Sequence, residues 1–229
     1  MTALLVLVFF VLIISINLIV TKVREKKISV FEESAPAYTT GKVFNKESIY
    51  VPQSYYYSKG HTWLELKENG KLNIGLDDFL NKVLKPSKAV LTCQVGQKVK
   101  KAEPILELIT SSSRVKIYAP INGIITALNT QLFNNFSVIQ SNPYKDNWLI
   151  EIEPAELKTE LQSFKIGKEV VNWMKEEISR FKDLLSHLTP KPSLVGATLY
   201  DGGNIVEGVG LYLDDQSLKR FEEEFLKIS

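Results

Sequence analysis

The stretch ELITSSSRVKIYAP, Glu107 to Pro120, places four hydroxyl residues in a row, Thr110, Ser111, Ser112 and Ser113. Apolar runs flank them on both sides, so the stretch reads as a β-hairpin with the hydroxyls at its tip. A serine at such a tip is a nucleophile only with a base to take its proton, and no histidine lies nearby in sequence. As turn residues the four are polar filler with no chemical role. Lys116, four residues beyond Ser112, shares a strand face with Arg114 and Tyr118 and reads as a solvated strand lysine. Lys98, Lys100 and Lys101 precede a different turn and read as a charged surface loop.

The other reactive residue types are sparse. His61 and His187 are far apart, and Cys93 is the single cysteine. No intrachain disulfide is available, and a zinc site of nitrogen and sulfur ligands is not expected. Cys93 lies in the apolar run AVLTCQV and reads as a small buried hydrophobe. Asp77 and Asp78 are adjacent carboxylates, but they stand where a short helix begins and capping accounts for them. Asp201 to Asn204, DGGN, is a turn without the following helix and Lys-Ser/Thr of a phosphate loop. Trp63, Trp148 and Trp173 read as core. The residues therefore offer no catalytic, cofactor-binding or metal-ligating set, and no enzyme constellation.

The elements that carry these residues divide the chain of 229. At 45% hydrophobic and 24% charged it has an ordinary globular composition, and its net charge of +2 argues against a nucleic-acid partner. The first twenty residues, MTALLVLVFFVLIISINLIV, carry no charge. As a helix they would be about 30 Å long, the thickness of a bilayer core. A cleaved signal peptide would need basic residues before the apolar run and small residues at a cleavage site. The basic residues Lys22, Arg24, Lys26 and Lys27 all follow it, which predicts an uncleaved anchor with the C-terminal bulk on the cytoplasmic side. Residues 23–53 read as a tether, with a short strand near Gly41–Phe44.

From Tyr55 the pattern becomes short strands between turns. HTWLELKENGKLNIGL alternates about Asn69-Gly70, a strong hairpin signal. DDFLNKVL is one short helix. KAVLTC, ILELI, RVKIYAP, INGIITAL and NWLIEIEP are strands, giving a compact β-barrel or sandwich. After it, Val170, Met174, Ile178, Phe181 and Leu185 recur at helical spacing and predict an amphipathic helix that stops before Pro190. Residues from Ser193 to Leu213 look like a hairpin turned at Asp201–Asn204. Leu218, Phe221 and Phe225 mark a last helix, whose apolar face is expected to pack on the barrel or on its neighbour.

Five stretches between residues 55 and 154 resemble the glycine cleavage system H protein, a small lipoyl-bearing carrier, and they occur in its order. They are YSKGHTW (Tyr57 to Trp63), IGLDDF (Ile74 to Phe79), VGQKVKKAEP with Ala102 where the family has glycine, YAPINGIITALN (Tyr118 to Asn129) and SNPYKDNWLIEIEP (Ser141 to Pro154). The resemblance implies a lipoyl-type barrel-sandwich hybrid whose hairpin tip carries the lipoyl-lysine. The family's tip, Glu-Ser-Val-Lys-Ala, has its lysine eight residues before a proline, and eight residues before Pro120 stands Ser112. A serine cannot form the lipoyl amide, so the resemblance implies the fold while the cofactor is expected to be absent. Ile109 stands where the family has an acidic residue.

The expected protein is mainly β. Residues 1–22 are a transmembrane anchor, 23–53 a tether, 54–155 an H-protein-like barrel-sandwich hybrid and 156–229 a helix-hairpin-helix extension of α+β character. Its expected role is that of a non-catalytic, non-lipoylated scaffold or accessory subunit. It would dock protein partners at the cytoplasmic face of the inner membrane, with no nucleic acid and no small-molecule substrate. The alternative is a lipoyl carrier of a glycine cleavage type system, modified at an unexpected lysine.

Overall fold

The computed structural model describes residues 42–110, 113–188 and 205–228. In chain order its elements begin with β1 (Val43–Phe44), β2 (Tyr56–Tyr57), β3 (Thr62–Leu66), β4 (Leu72–Leu76), α1 (Asp78–Leu84), β5 (Lys88–Leu91), β6 (Lys98–Val99), β7 (Pro104–Ile109), β8 (Arg114–Tyr118) and β9 (Gly123–Leu128). They continue with α2 (Thr130–Asn134), β10 (Ile150–Pro154), α3 (Leu157–Leu161), α4 (Lys168–His187), β11 (Ile205–Val206) and α5 (Asp215–Phe221), which runs into a π-helical turn at Glu222–Leu226.

Two antiparallel sheets make a sheet-rich, barrel-like body. One has six strands in the order β2-β3-β4-β10-β9-β6, the other three in the order β5-β7-β8. Local chemistry sets the strand breaks. Gly70 takes φ +79°, a left-handed conformation that glycine adopts without strain, and the Asn69 side chain accepts from the Lys71 amide. β3 and β4 consequently pair with Thr62 opposite Leu76 and Leu66 opposite Leu72. Asp77 caps α1 by accepting from the Leu80 amide at 2.9 Å. At Gly75 a side chain would collide with the Trp63 indole, 2.4 Å from where a Cβ would lie.

Both sheets and the C-terminal helices contribute to one hydrophobic cluster. Trp63, Leu72, Ile117 and Ile152 bury fully alongside Phe79, Phe181 and Phe221. The apolar faces of α4 and α5 pack on the body and on each other, as their spacing predicts. Phe181 meets Phe79, Phe221 and Phe225 edge-on, with ring centroids 5.4 to 5.8 Å apart.

Three expectations meet a different outcome or fall outside the described residues. The later part of the expected tether, residues 42–53, packs against the body. Ile49 is buried, the Tyr50 amide donates to Asp78 Oδ2 at 2.8 Å, and the Tyr144 hydroxyl donates to the Tyr50 carbonyl at 2.8 Å. Of the expected hairpin from Ser193 to Leu213, only the second half is described. It holds β11, which pairs with β1 far up the chain, and a 3-10 turn at Val209–Tyr212. The first half of that expected hairpin and its turn at Asp201–Asn204 lie outside the described residues. Among the described residues no helix is long and apolar enough to cross a membrane, and the expected anchor at residues 1–22 lies outside them.

Candidate functional site

The hairpin β7–β8 brings Thr110 and Ser113 together at its tip, and Ser111 and Ser112 lie outside the described residues. Thr110 Oγ1 donates to the Ser113 carbonyl at 3.1 Å and accepts from the Ser113 amide at 3.1 Å. It therefore closes the tip on itself, and Thr110 is only 3% exposed. That departs from the bare solvent turn read from sequence. The C-terminal segment lies along the neighbouring edge of β8.

Ser113 Oγ donates to Asp215 Oδ1 at 2.8 Å. The Lys116 amide donates to Glu222 Oε2 at 3.2 Å, and the Tyr118 hydroxyl donates to the other oxygen of the same carboxylate. β8 is the last strand of its sheet, so its outward N–H groups have no strand to bond. Glu222 supplies an acceptor for one of them. Burial and then the Glu222 charge push the Tyr118 phenol well above its usual range, so it stays a donor.

The segment that carries these carboxylates is not a loose flap. Leu218, Phe221, Phe225 and Leu226 are buried, each at 3% exposure or less. Each buried side chain contributes about 2 kcal/mol before the entropy of ordering the segment is subtracted. The clamp on the hairpin is therefore backed by core packing as well as by its polar contacts.

Beneath the clamp lies a buried chain of charge. His61 takes φ +58° and is fully buried. Its Nδ1–H donates to Asp77 Oδ2 at 2.7 Å, and its Nε2 lies 3.6 Å from Glu177 Oε2, an electrostatic contact longer than a hydrogen bond. Arg180 holds the same Glu177 with contacts of 2.6 and 2.7 Å and sits 4.7 Å above the Phe225 ring. Burial alone would lower the His61 pKa. The Asp77 and Glu177 carboxylates outweigh it, and the imidazole is raised to about 9. Burial likewise raises Glu177, and His61 and Arg180 reverse that to a net lowering. The imidazolium thus ties the N-cap of α1 to helix α4. His61 also stacks on Trp173, with ring centroids 5.3 Å apart, so it packs as well as pairs.

The remaining sequence candidates are placed separately. Cys93 is buried, and burial raises its thiol pKa, so it is a poor nucleophile. Asp78 pairs with Lys82 and accepts from Tyr50. Lys98 and Lys100 are exposed on the surface and Lys101 is partly covered, donating its amide to Asn122. Among the described residues, no group of three or more His, Cys, Asp or Glu is disposed to hold a metal ion. Sequence reading missed Glu177, Asp215 and Glu222. Their only sequence trace is that Asp215 and Glu222 stand seven residues apart, on one face of a helix.

The lipoyl group implied by the resemblance does not fit these residues. No lysine lies between Lys101 and Lys116. Lys116, four positions beyond Ser112, has its backbone bonded to Glu222 in the middle of a strand.

Comparison with known proteins bears on the body and α4. Residues 55–177 match the family described as Glycine cleavage H-protein. A probable glycine cleavage system H protein of Pyrococcus abyssi is 29% identical over 125 residues, 55% of this chain and 92% of that protein. The glycine cleavage system H protein of Oceanobacillus iheyensis is 32% identical over 108 residues, 47% of this chain and 85% of that protein. The crystal structure of a glycine cleavage system H protein from Mycobacterium marinum has a TM-score of 0.47 and 18% identity, covering 55% of this chain and 99% of that one.

Proposed function

This chain belongs to the glycine cleavage H-protein family, and from that premise we propose that it is a non-lipoylated member that docks protein partners at a membrane. The carrying observation is the hairpin. Serine occupies position 112, where the family's motif has the lipoyl-lysine, and Asp215 and Glu222 hold the adjoining strand from the chain's own C-terminus. A swinging arm needs a long stem, and no lysine stands between Lys101 and Lys116 to supply one at the tip. What it retains is a folded body of a carrier family, a surface suited to protein contact without chemistry of its own. The anchor at residues 1–22, whose first twenty residues carry no charge and are followed by Lys22, Arg24, Lys26 and Lys27, would fasten that surface to the cytoplasmic face of the inner membrane.

Family membership favours a second reading, a lipoyl carrier modified at another lysine. Lys116 is the one lysine within the strands of this hairpin and its side chain is exposed. Intact mass of the protein purified from its own cells separates the two. An unmodified mass is expected; a lipoyl adduct at Lys116 or any other lysine would establish the carrier and remove the docking reading. Partners that co-purify from membranes, and that are lost when the body is replaced but the anchor kept, would identify what it docks.

A further inference from the structure

A pocket of about 690 Å³ opens at the seam between the body and the C-terminal segment. That is the size of a small-molecule site. Its walls come from five separated stretches: Lys59 and Ala102 in two parts of the body, Lys165 after α3, Trp173 and Arg180 of α4, and Lys227 with Ile228 in the C-terminal segment.

Three observations set this pocket apart from a packing gap. The first is strain. Ala102, on the wall, takes φ +66°, and His61, stacked behind Trp173, takes φ +58°; both are costly for residues with a Cβ, and such residues collect at binding sites. The π-helical turn at Glu222–Leu226 also borders it, carrying Glu223 and Glu224 to the rim.

The second is the buried charge behind the wall. The Asp77–His61–Glu177–Arg180 chain ends at the pocket, where Glu177 and Arg180 line it. His61 Nε2 is buried without a hydrogen-bond partner. Placing that much charge under an apolar segment is expensive, and it holds the Arg180 side chain firmly at the mouth.

The third is the balance of free charge. Arg180 is committed to Glu177, Lys165 to Glu169 at 2.6 Å, and Glu224 to Arg220 at 2.7 Å. Among the described residues the ammonium groups of Lys59 and Lys227 form no salt bridge, and of the lining carboxylates only Glu223 is likewise uncommitted. Two free cations against one free anion leave the described lining net positive, beside the small exposed parts of Trp173 and Ile228.

We infer that this pocket binds a small organic anion, a carboxylate or phosphate monoester on a flat apolar body. Lys59 and Lys227 hold the charged group and Trp173 and Ile228 hold the body. The assignment does not depend on the docking role or on the hairpin tip.

Calorimetric titration of the full-length protein in neutral detergent at low salt tests it, with phenyl phosphate, benzoate and uncharged benzyl alcohol as probes. The expected result is saturable binding of at least one anion and none of the alcohol; which anion binds tells phosphate from carboxylate recognition. In the K59Q/K227Q variant the affinity should fall at least about tenfold, while Tm stays at the wild-type value. Absence of saturation by either anion up to about 10 mM, equal binding of benzyl alcohol, or undiminished binding by the folded double variant would overturn the assignment.

Discussion

Ser113 and Asp215 stand 102 residues apart in the chain and share a hydrogen bond of 2.8 Å, hydroxyl to carboxylate. It joins the tip of the hairpin to the start of the last helix. Beside it, Glu222 accepts from both the Lys116 amide and the Tyr118 hydroxyl. The strand that leads away from the tip is held by the C-terminal segment.

Removing these polar contacts should loosen the hairpin without unfolding the protein. Ser113→Ala is expected to cost no more than about 1 kcal/mol, since the bond is exposed to water. Glu222→Ala should cost more, about 1 to 3 kcal/mol, because it orphans a strand amide and the Tyr118 hydroxyl. Denaturant melts measure both. Amide exchange of residues 113–118 should accelerate in Glu222→Ala, and unchanged protection there would show that the clamp rests on apolar packing alone.

The fold should depend on pH through His61. Its pKa is raised from 6.5 to about 9, so its contribution is fully present below about pH 6.5 and is lost as pH rises through 9. The shift corresponds to roughly 3 kcal/mol of stability. Stability measured from pH 6 to 10 should fall on the alkaline side, and His61→Phe should be destabilised at pH 6 and lack that part of the fall. A wild-type profile flat to pH 10 would mean that the imidazole is neutral in the folded protein.

The segment from 55 to 155 should not fold by itself. The sequence reads as a closed unit there, but the structure puts Phe79 and His61 against Phe181, Phe225 and Glu177 from beyond residue 155. Residues 42–229 are expected to melt cooperatively, while 55–155 stays unfolded or aggregates. Phe225→Ala in the full chain should cost about 3 to 5 kcal/mol, the usual loss for a deleted core aromatic. A cooperative melt of the short fragment would disprove the shared core.

The proposed anchor predicts that detergent is required for extraction, and that a chain lacking residues 1–30 is recovered in the soluble fraction. Protease added to intact cells should leave residues 55–229 whole. A mature N-terminus beyond residue 20, or digestion from outside, would rule out the cytoplasm-facing anchor.

Much of the frame was legible from neighbouring residues because the forces that set it act over a few positions. Asn69-Gly70 specifies its turn through one left-handed residue and one side-chain bond, and Asp77 caps α1 from three residues away. The apolar period from Val170 to Leu185 marks α4, whose described range is Lys168–His187. The ordered motifs from Tyr57 to Pro154 carry the family, and the absence of lysine at position 112 is a fact of the sequence alone. What depended on tertiary structure is which distant residues meet. His61, Asp77 and Glu177 lie in three separate segments, and nothing local to any of them distinguishes an ionised partner from a cap or a surface acid. β1 pairs with β11 across more than 160 positions of the chain, and Asp215 and Glu222 reach the β7–β8 hairpin from a helix whose Phe221 and Phe225 are buried in the core. Burial is non-directional and sums over the whole core, so it chooses long-range partners that no short window of residues encodes.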